Sequence, residues 1–529
     1  MKIIHLSIVA ILGFCLSANA QTAKKSKLTD NQLKRWSHLD LEKDSIPGMS
    51  VDRAYNEFLK GRKGVKVIVG IVDSGVDIEH EDLKSMVWTN KKEIAGNGKD
   101  DDRNGYVDDI HGWNFLGDIT KENLEYERIV NNKSLVDEAT YNLALTKFNK
   151  KKDESKTVKV QMEQTLNAVN KSDETISKLL GKTVYTIDEV TAIVTEDKDV
   201  EKSKNIMQRM LGFGLPVAQL KIEIQKQLDA ATATTNAEKP YKNYRTTLGD
   251  NPNDIKDAKY GNNNVIGPDK DEALHGTHVA GIVAQSRFNS KGGDGVANNV
   301  LILTVRAVPD GDEYDKDIAL GIRYAVDNGA KVINGSFGKD FSPQKTWVYD
   351  AIKYAEKKDV LIVHAAGNDS KDIDVENNFP NDSDDKKTEF ADNLITIGAL
   401  NFEYNSAIVA NFSNFGQINV DVFAPGVQIY ATTPKDSYQF LQGTSMASPN
   451  VAGVAALIRS YFPKLSAKQV KRILMDSGTS IPFDVAVGGN PDNMKTLSSL
   501  CVSGKIVNAL NALKMAEKMS KNKNIKAKG

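Results

Sequence analysis

The sequence predicts a doubly wound, mostly parallel α/β sheet flanked by helices, with a helical subdomain inserted into it. Three observations lead there. Near-continuous apolar runs recur along the chain, of the kind that form strands buried on both faces. Helical periodicity fills the stretches between several of them. One long segment poor in glycine and proline then breaks the alternation.

The chain has 529 residues, 40% hydrophobic and 26% charged, enough for a large core and too apolar for wholesale disorder. Lysine plus arginine is 69 and aspartate plus glutamate 70, a net charge of −1 that gives no footing for nucleic-acid binding. A single long apolar run excludes multi-pass membrane folds. That run opens the chain. Lys2 is followed by the mostly apolar residues 3–16, and Ala18-Asn19-Ala20 is a small-x-small cleavage site. Residues 1–20 therefore read as a signal peptide, and the protein as exported, to the periplasm or beyond. The apolar core is shorter than the ~20 residues of a membrane span, so none is expected after cleavage. Cleavage would remove Cys15 and leave Cys501 without an intramolecular partner.

The elements follow in order. Residues 21–64 form an N-terminal lead-in. The first buried strand is 65–72 (VKVIVGIV), opening the first part of the α/β domain at 65–117. Residues 118–250 are the inserted helical segment. Met162, Leu166, Val169, Ile176 and Leu180 share one helical face, with Gly181 as a stop. Val217, Leu220, Ile224 and Leu228 make a second stripe, and Thr186 with Glu189 has capping-box spacing. The second part of the α/β domain, 251–519, holds further buried runs at 300–308, 331–334, 360–366 and 394–400. Helices are expected at 318–327, 346–357, 467–475 and 506–519. Residues 520–529 are a basic tail. In such a sheet, ligand and catalytic groups gather beyond the carboxyl ends of the strands.

Three segments carry chemistry. Asp73 opens Asp73-Ser74-Gly75-Val76-Asp77 at the end of the first strand. His275 opens His275-Gly276-Thr277-His278-Val279-Ala280-Gly281. Ser445 is centred in Gly443-Thr444-Ser445-Met446-Ala447-Ser448-Pro449. A serine hydroxyl is a poor nucleophile until an imidazole takes its proton and a carboxylate fixes that imidazole. These segments supply the set in the order Asp, His, Ser. Outside the motifs, His38, His80, His111 and His364 read as structural, and His278 as packing support within its motif.

These motifs resemble the signatures of the subtilisin-like serine peptidases, the subtilases, over about residues 40–519 without the insertion. The resemblance implies the subtilisin-like fold, with Ser445 as nucleophile, His275 as general base and then acid, and Asp73 orienting it. It also implies that Asn368, in Ala365-Ala366-Gly367-Asn368, holds the oxyanion. Ser336-Phe337-Gly338 resembles the strand that pairs with the substrate backbone and, with Ala365, Ala366 and Gly367, walls the pocket for the acyl-side chain. The expected activity is a serine endopeptidase with polypeptide substrates and no organic cofactor. An esterase on the same scaffold, or a binding or assembly protein whose insertion is the working part, are the rival readings.

Calcium is the expected structural cofactor. Asp100, Asp102 and Asn104 alternate before the turn glycine Gly105, as in a calcium loop, with the Tyr106 carbonyl as a further ligand. His111 stands where the loop's bidentate acid is expected, so Asp108 or Asp109 would substitute. Asp82 matches a calcium ligand of the family.

Two features depart from the family pattern. The insertion makes the connection from Asp73 to His275 far longer than usual, tethering its ends near the cleft, where it could restrict access or recruit a partner. The lead-in is also too short for a folded inhibitory propeptide, so a minimal maturation step is expected.

Overall fold

The computed structural model describes residues 28–212, 215–236 and 241–522. The predicted signal peptide and the tail from residue 523 lie outside them. Three short helices open the described chain, α1 (Asp30–Arg35), α2 (Leu41–Asp44) and α3 (Val51–Arg53). The first apolar run becomes β1 (Val67–Asp73) at the centre of a seven-stranded sheet. Its side chains alternate between two cores: Val69 and Ile71 pack on one face, Val72 on the other. Burial on both faces is why the run is apolar throughout rather than alternating.

A short β2 (Gly112–Asn114) forms one edge of the sheet. The helical segment follows, as α4 (Glu125–Asn131), α5 (Glu138–Leu180), α6 (Ile187–Thr191), α7 (Lys198–Leu211) and α8 (Val217–Asn236). The chain then returns through α9 (Leu274–Ala284), β3 (Val300–Arg306), α10 (Asp315–Asp327), β4 (Val332–Gly335), α11 (Lys345–Lys357), β5 (Leu361–Ala365) and β6 (Leu394–Leu400). After β7 (Val422–Pro425) comes an antiparallel hairpin of β8 (Ile429–Thr433) and β9 (Ser437–Leu441). Three helices close the fold, α12 (Thr444–Tyr461), α13 (Ala467–Asp476) and α14 (Ala509–Lys521).

The sheet order is β2-β3-β1-β4-β5-β6-β7, and every pairing in it is parallel. The order reverses direction at β1, with β3 on one side and β4 on the other. That switch point opens a crevice beyond the strand ends. Helices α9, α12 and α14 cover one face, and α10 and α11 the other.

The helical segment has a root and a lobe. At the root, Tyr126, Ile129, Ala144 and Phe148 pack on Phe341, three residues past Gly338. Buried charges knit it down: Lys339 pairs with Glu125 at 2.6 Å and Asp315 at 2.9 Å, and Arg245 with Asp317 and Asp250 at 2.7 Å each. Farther out, Val169, Ile176, Met207, Leu220 and Ile224 make a core formed of this segment's residues alone. Val169 lies about 30 Å along α5 from Phe148, at ~1.5 Å per residue. Gly181 caps α5 in the left-handed region, and Thr186 with Glu189 forms the capping box that starts α6.

Candidate active site

Asp73 is the last residue of β1 and His275 stands in the first turn of α9, so the crevice brings together residues 202 apart in sequence. Asp73 Oδ1 lies 2.7 Å from His275 Nδ1 and also accepts the Ser74 N–H at 2.8 Å. A carboxylate can only accept, so Nδ1 carries the proton and Nε2 keeps its lone pair. Gly276 makes this approach possible. A Cβ there would sit 2.1 Å from the Gly75 carbonyl oxygen and 3.1 Å from Asp73 Oδ1. Burial pushes the His275 imidazole down, but the charge and hydrogen bond of Asp73 outweigh it and raise its pKa above the ordinary 6.5.

Ser445 is the second residue of α12, where backbone N–H groups have no partner four residues back. Its Oγ donates to the Ser336 carbonyl at 3.2 Å rather than to His275, while Ser336 Oγ donates to the Ser445 carbonyl at 2.9 Å. Asn334 and Ser448 extend this network: Asn334 Nδ2 donates to Ser336 Oγ at 2.9 Å, and Ser448 Oγ to Asn334 Oδ1 at 2.7 Å. The start of α12 is thereby fixed to the end of β4. Asn368 lies across the cleft. Its Oδ1 accepts from Thr444 N at 2.8 Å and Thr444 Oγ1 at 3.0 Å, which leaves its Nδ2 as the free donor. His275, Ser445 and Asn368 line one cleft of about 740 Å³.

The two predicted wall segments meet beside it. Ser336, Phe337 and Gly338 follow β4, and Ala365, Ala366 and Gly367 end β5, its parallel neighbour. Gly367 takes φ +100°, donates to Thr444 Oγ1 at 3.0 Å, and would bring a Cβ within 2.3 Å of Asn414 Nδ2. His364, read from sequence only as structural, lies 2.8 Å from the Phe337 carbonyl through Nε2. Burial lowers its pKa to about 4, so it is neutral and donates from Nε2. His278 behaves alike: its pKa is about 4, and its Nε2 is 3.1 Å from the Gln439 carbonyl in β9. Neither role was legible without the fold.

The acidic loop separates into two groups. Asp100 and Asp102 gather with Glu93, each offering an oxygen within 4.8 Å of the others. Backbone N–H groups already meet all three, from Asp102 and Asp108 to Glu93 at 3.0 and 3.2 Å, from Asn104 and Gly105 to Asp100 at 3.0 and 2.8 Å, and from Asn104 to Asp102 at 3.1 Å, and a cation among them would offset their mutual repulsion. Glu93 was missed from sequence because it precedes the loop. Asp108 lies outside that group and accepts from the backbone of Asn97 and Gly98, at 3.2 and 2.8 Å. Asp109 accepts from Asn90, Asn104 and Tyr324 at 2.9, 2.9 and 2.6 Å. Asn104 Oδ1 accepts the Tyr106 N–H at 2.8 Å, and the Tyr106 ring packs on Trp113. Asp82 is fully buried. One of its oxygens accepts from Asn289 Nδ2 at 2.5 Å and the other has no hydrogen-bond partner.

Among the described residues, no helix is long and apolar enough to cross a membrane. The chain is 43% identical over 187 residues to a thermophilic serine proteinase of Bacillus sp. (strain AK1), an alignment covering 35% of this chain and 42% of that one. It is 38% identical over 208 residues to subtilisin DY of Bacillus licheniformis, covering 39% of this chain and 71% of that one. The chain thus spans less than half the length of the first relative. Among solved structures, a protease from Pseudoalteromonas arctica aligns at 30% identity with a TM-score of 0.38, covering 46% of this chain and 70% of that one. The pattern of the subtilase family matches residues 64–497, which hold β1, α9 and the start of α12 and so Asp73, His275 and Ser445, and this chain belongs to the subtilase family.

Proposed function

We propose that the protein is an exported serine endopeptidase that cleaves polypeptides through an acyl-enzyme at Ser445. The observation that carries this reading is the shared cleft of His275, Ser445 and Asn368, with Asp73 2.7 Å behind the imidazole. Substrate entry turns the Ser445 hydroxyl from the Ser336 carbonyl toward His275 Nε2. Its oxygen attacks the scissile carbonyl as its proton passes to Nε2. The developing oxyanion is met by Asn368 Nδ2 and the Ser445 N–H at the start of α12. His275 then protonates the departing amine, and the acyl group stays on Ser445. Water, losing its proton to the same nitrogen, attacks the ester carbonyl; the acid product leaves and Ser445 regains its proton.

Peptide rather than simple ester substrates are favoured by the Ser336–Gly338 segment beside the nucleophile, with the Phe337 carbonyl fixed by His364. Calcium is the proposed structural cation, held by Glu93, Asp100 and Asp102, with Asp82 as a second candidate position. When bound it neutralises acids that otherwise repel, and it enters no chemical step. Export rests on the segment before Leu28, and Cys501, buried and unpaired, requires no disulfide.

Labelling the exported form with a fluorophosphonate beside Ser445→Ala tests the reading. Labelling lost in the variant supports it. A folded, unlabelled protein would point to the binding reading instead. N-terminal sequencing of the exported form tests maturation, with Gln21 the expected first residue.

A further inference from the structure

One wall of the catalytic cleft comes from outside residues 64–497, from Leu33 of α1. This helix is held at several points. Thr29 and Gln32 form its capping box. Arg35 pairs with Asp52 at 2.9 Å and Asp294 at 2.6 Å. Just beyond it, the buried Trp36 donates from Nε1 to the Val427 carbonyl at 3.0 Å, and Lys34 stands 4.8 Å over the Tyr430 ring. The first residues of the described chain are thereby pinned to the β8–β9 hairpin. Leu33 itself packs against the main core while facing the cleft.

The chemistry of that wall is one-sided. Leu33, Phe440, Leu441 and Met446 are apolar, Gln428 and Gln442 are neutral amides, and among the described residues His275 is the only titratable group in the lining. Its place relative to the chemistry follows from the acyl-side strand. Ser336 touches Ser445 from the β4 side, whereas neither it nor Phe337 nor Gly338 lines this cleft. The remaining direction, past His275, is the one the departing amine takes, because His275 must reach that nitrogen to protonate it.

We infer that Leu33 is a specificity-determining residue for the leaving half of the substrate. With Phe440 and Leu441 it selects an apolar side chain just after the scissile bond and disfavours a charged one, which would lose its water against an apolar wall. The inference rests on the peptidase reading. It makes the lead-in a working part of the site, supplied by a segment that precedes the family-matched residues.

The test uses the full exported chain and three substrates with one common acyl peptide. One is a chromogenic anilide, with no residue after the scissile bond. The other two are internally quenched peptides continuing with Leu or with Lys. Leu33→Ala should lower kcat/KM for the Leu peptide by about ten-fold, the order an apolar pocket gives for lost methylenes. Leu33→Glu should invert the Leu-to-Lys preference. Fluorophosphonate labelling in both variants reports that Ser445 is still competent, while the anilide, whose aryl amine itself departs along this wall, shows only that turnover survives. An unchanged Leu-to-Lys ratio, including an equal fall on both peptides, would overturn the inference. If Leu33→Glu does not fold, the Leu33→Ala ratio decides by the same criteria. Failure of the catalytic reading looks different, since the unaltered protein would then neither label nor cleave the anilide.

Discussion

Lys339 Nζ lies 2.6 Å from Glu125 Oε2, joining the residue just past the Ser336–Gly338 segment to the first residue of α4. Both side chains are buried, and Lys339 also donates to the Glu313 carbonyl at 2.7 Å. The root of the insertion is therefore continuous with the segment that follows β4 rather than hung beside it.

Glu125→Gln should destabilise the fold by about 3–5 kcal/mol, since Asp315 still faces the Lys339 ammonium but the buried Arg128, 2.6 Å from Glu125, loses its carboxylate as well. Replacing both partners, Glu125→Gln with Lys339→Met, should recover part of the loss. Urea unfolding measures both, and an unmoved midpoint for the single variant would refute the pairing. The pH sign is defined. Burial pushes the Glu125 carboxyl up, but Arg128 and Lys339 outweigh it and hold it below the ordinary range. A depressed folded pKa contributes stability above the unfolded value of about 4.3, and that contribution is lost as pH falls through the lower folded value.

As the proposed general base, His275 should set the pH dependence of turnover. Because Asp73 raises its pKa above 6.5, the acid limb of kcat/KM should lie above that value, with activity falling as the imidazole gains its proton. The stability sign is opposite to that of Glu125. A raised folded pKa stabilises fully below the unfolded value and stops doing so as pH rises through the folded one. Asp73→Asn should cost about 10⁴-fold in kcat, as replacing the orienting acid does in another serine-protease triad. A smaller loss with an unmoved acid limb would show that Asp73 does not hold the base.

On its proposed role at the oxyanion rather than the bound ground state, Asn368→Ala should lower kcat by about 10²–10³-fold with little change in KM; the magnitude is that measured for an oxyanion-hole asparagine in subtilisin. A change confined to KM would reassign Asn368 to substrate binding.

What the sequence made legible, and what it did not, has a physical pattern. The buried runs announced β1, β3, β4, β5 and β6, because strands covered on both faces need apolar residues throughout. Strands β2 and β7 escaped, being three and four residues long with Gly, Asn and Pro among them. The hairpin β8–β9 escaped because β9 is largely exposed and carries no apolar run. Asp73, His275 and Ser445 sat in local motifs and were readable. Glu93, His364 and Leu33 were not, since each matters only through neighbours that folding brings to it.

Calcium should raise the unfolding temperature, and a chelator should lower it. A site saturated at a hundred times its dissociation constant adds about 2.7 kcal/mol. Glu93→Gln and Asp100→Asn should each abolish most of that response, whereas Asp108→Asn should leave it in place, because Asp108 lies outside the group in which Glu93, Asp100 and Asp102 bring their oxygens together. Equal loss from all three would return Asp108 to the ligand set.

The distal lobe is the last separable part. Its core contains residues of the insertion alone, and the root packs on Phe341 through a different cluster. Ile176 is fully buried in that lobe. An Ile176→Asp change places a carboxylate there without a partner, at a cost of several kcal/mol, enough to melt so small a core. The root keeps its ion pairs, so fluorophosphonate labelling and short-peptide hydrolysis should persist while helical circular dichroism falls. The ratio of folded-protein to short-peptide cleavage then decides what the lobe does. A rise means that the folded lobe keeps large substrates out, and a fall means that it recruits them. An unchanged ratio would make it an appendage. Loss of labelling itself would refute the separation of root and lobe.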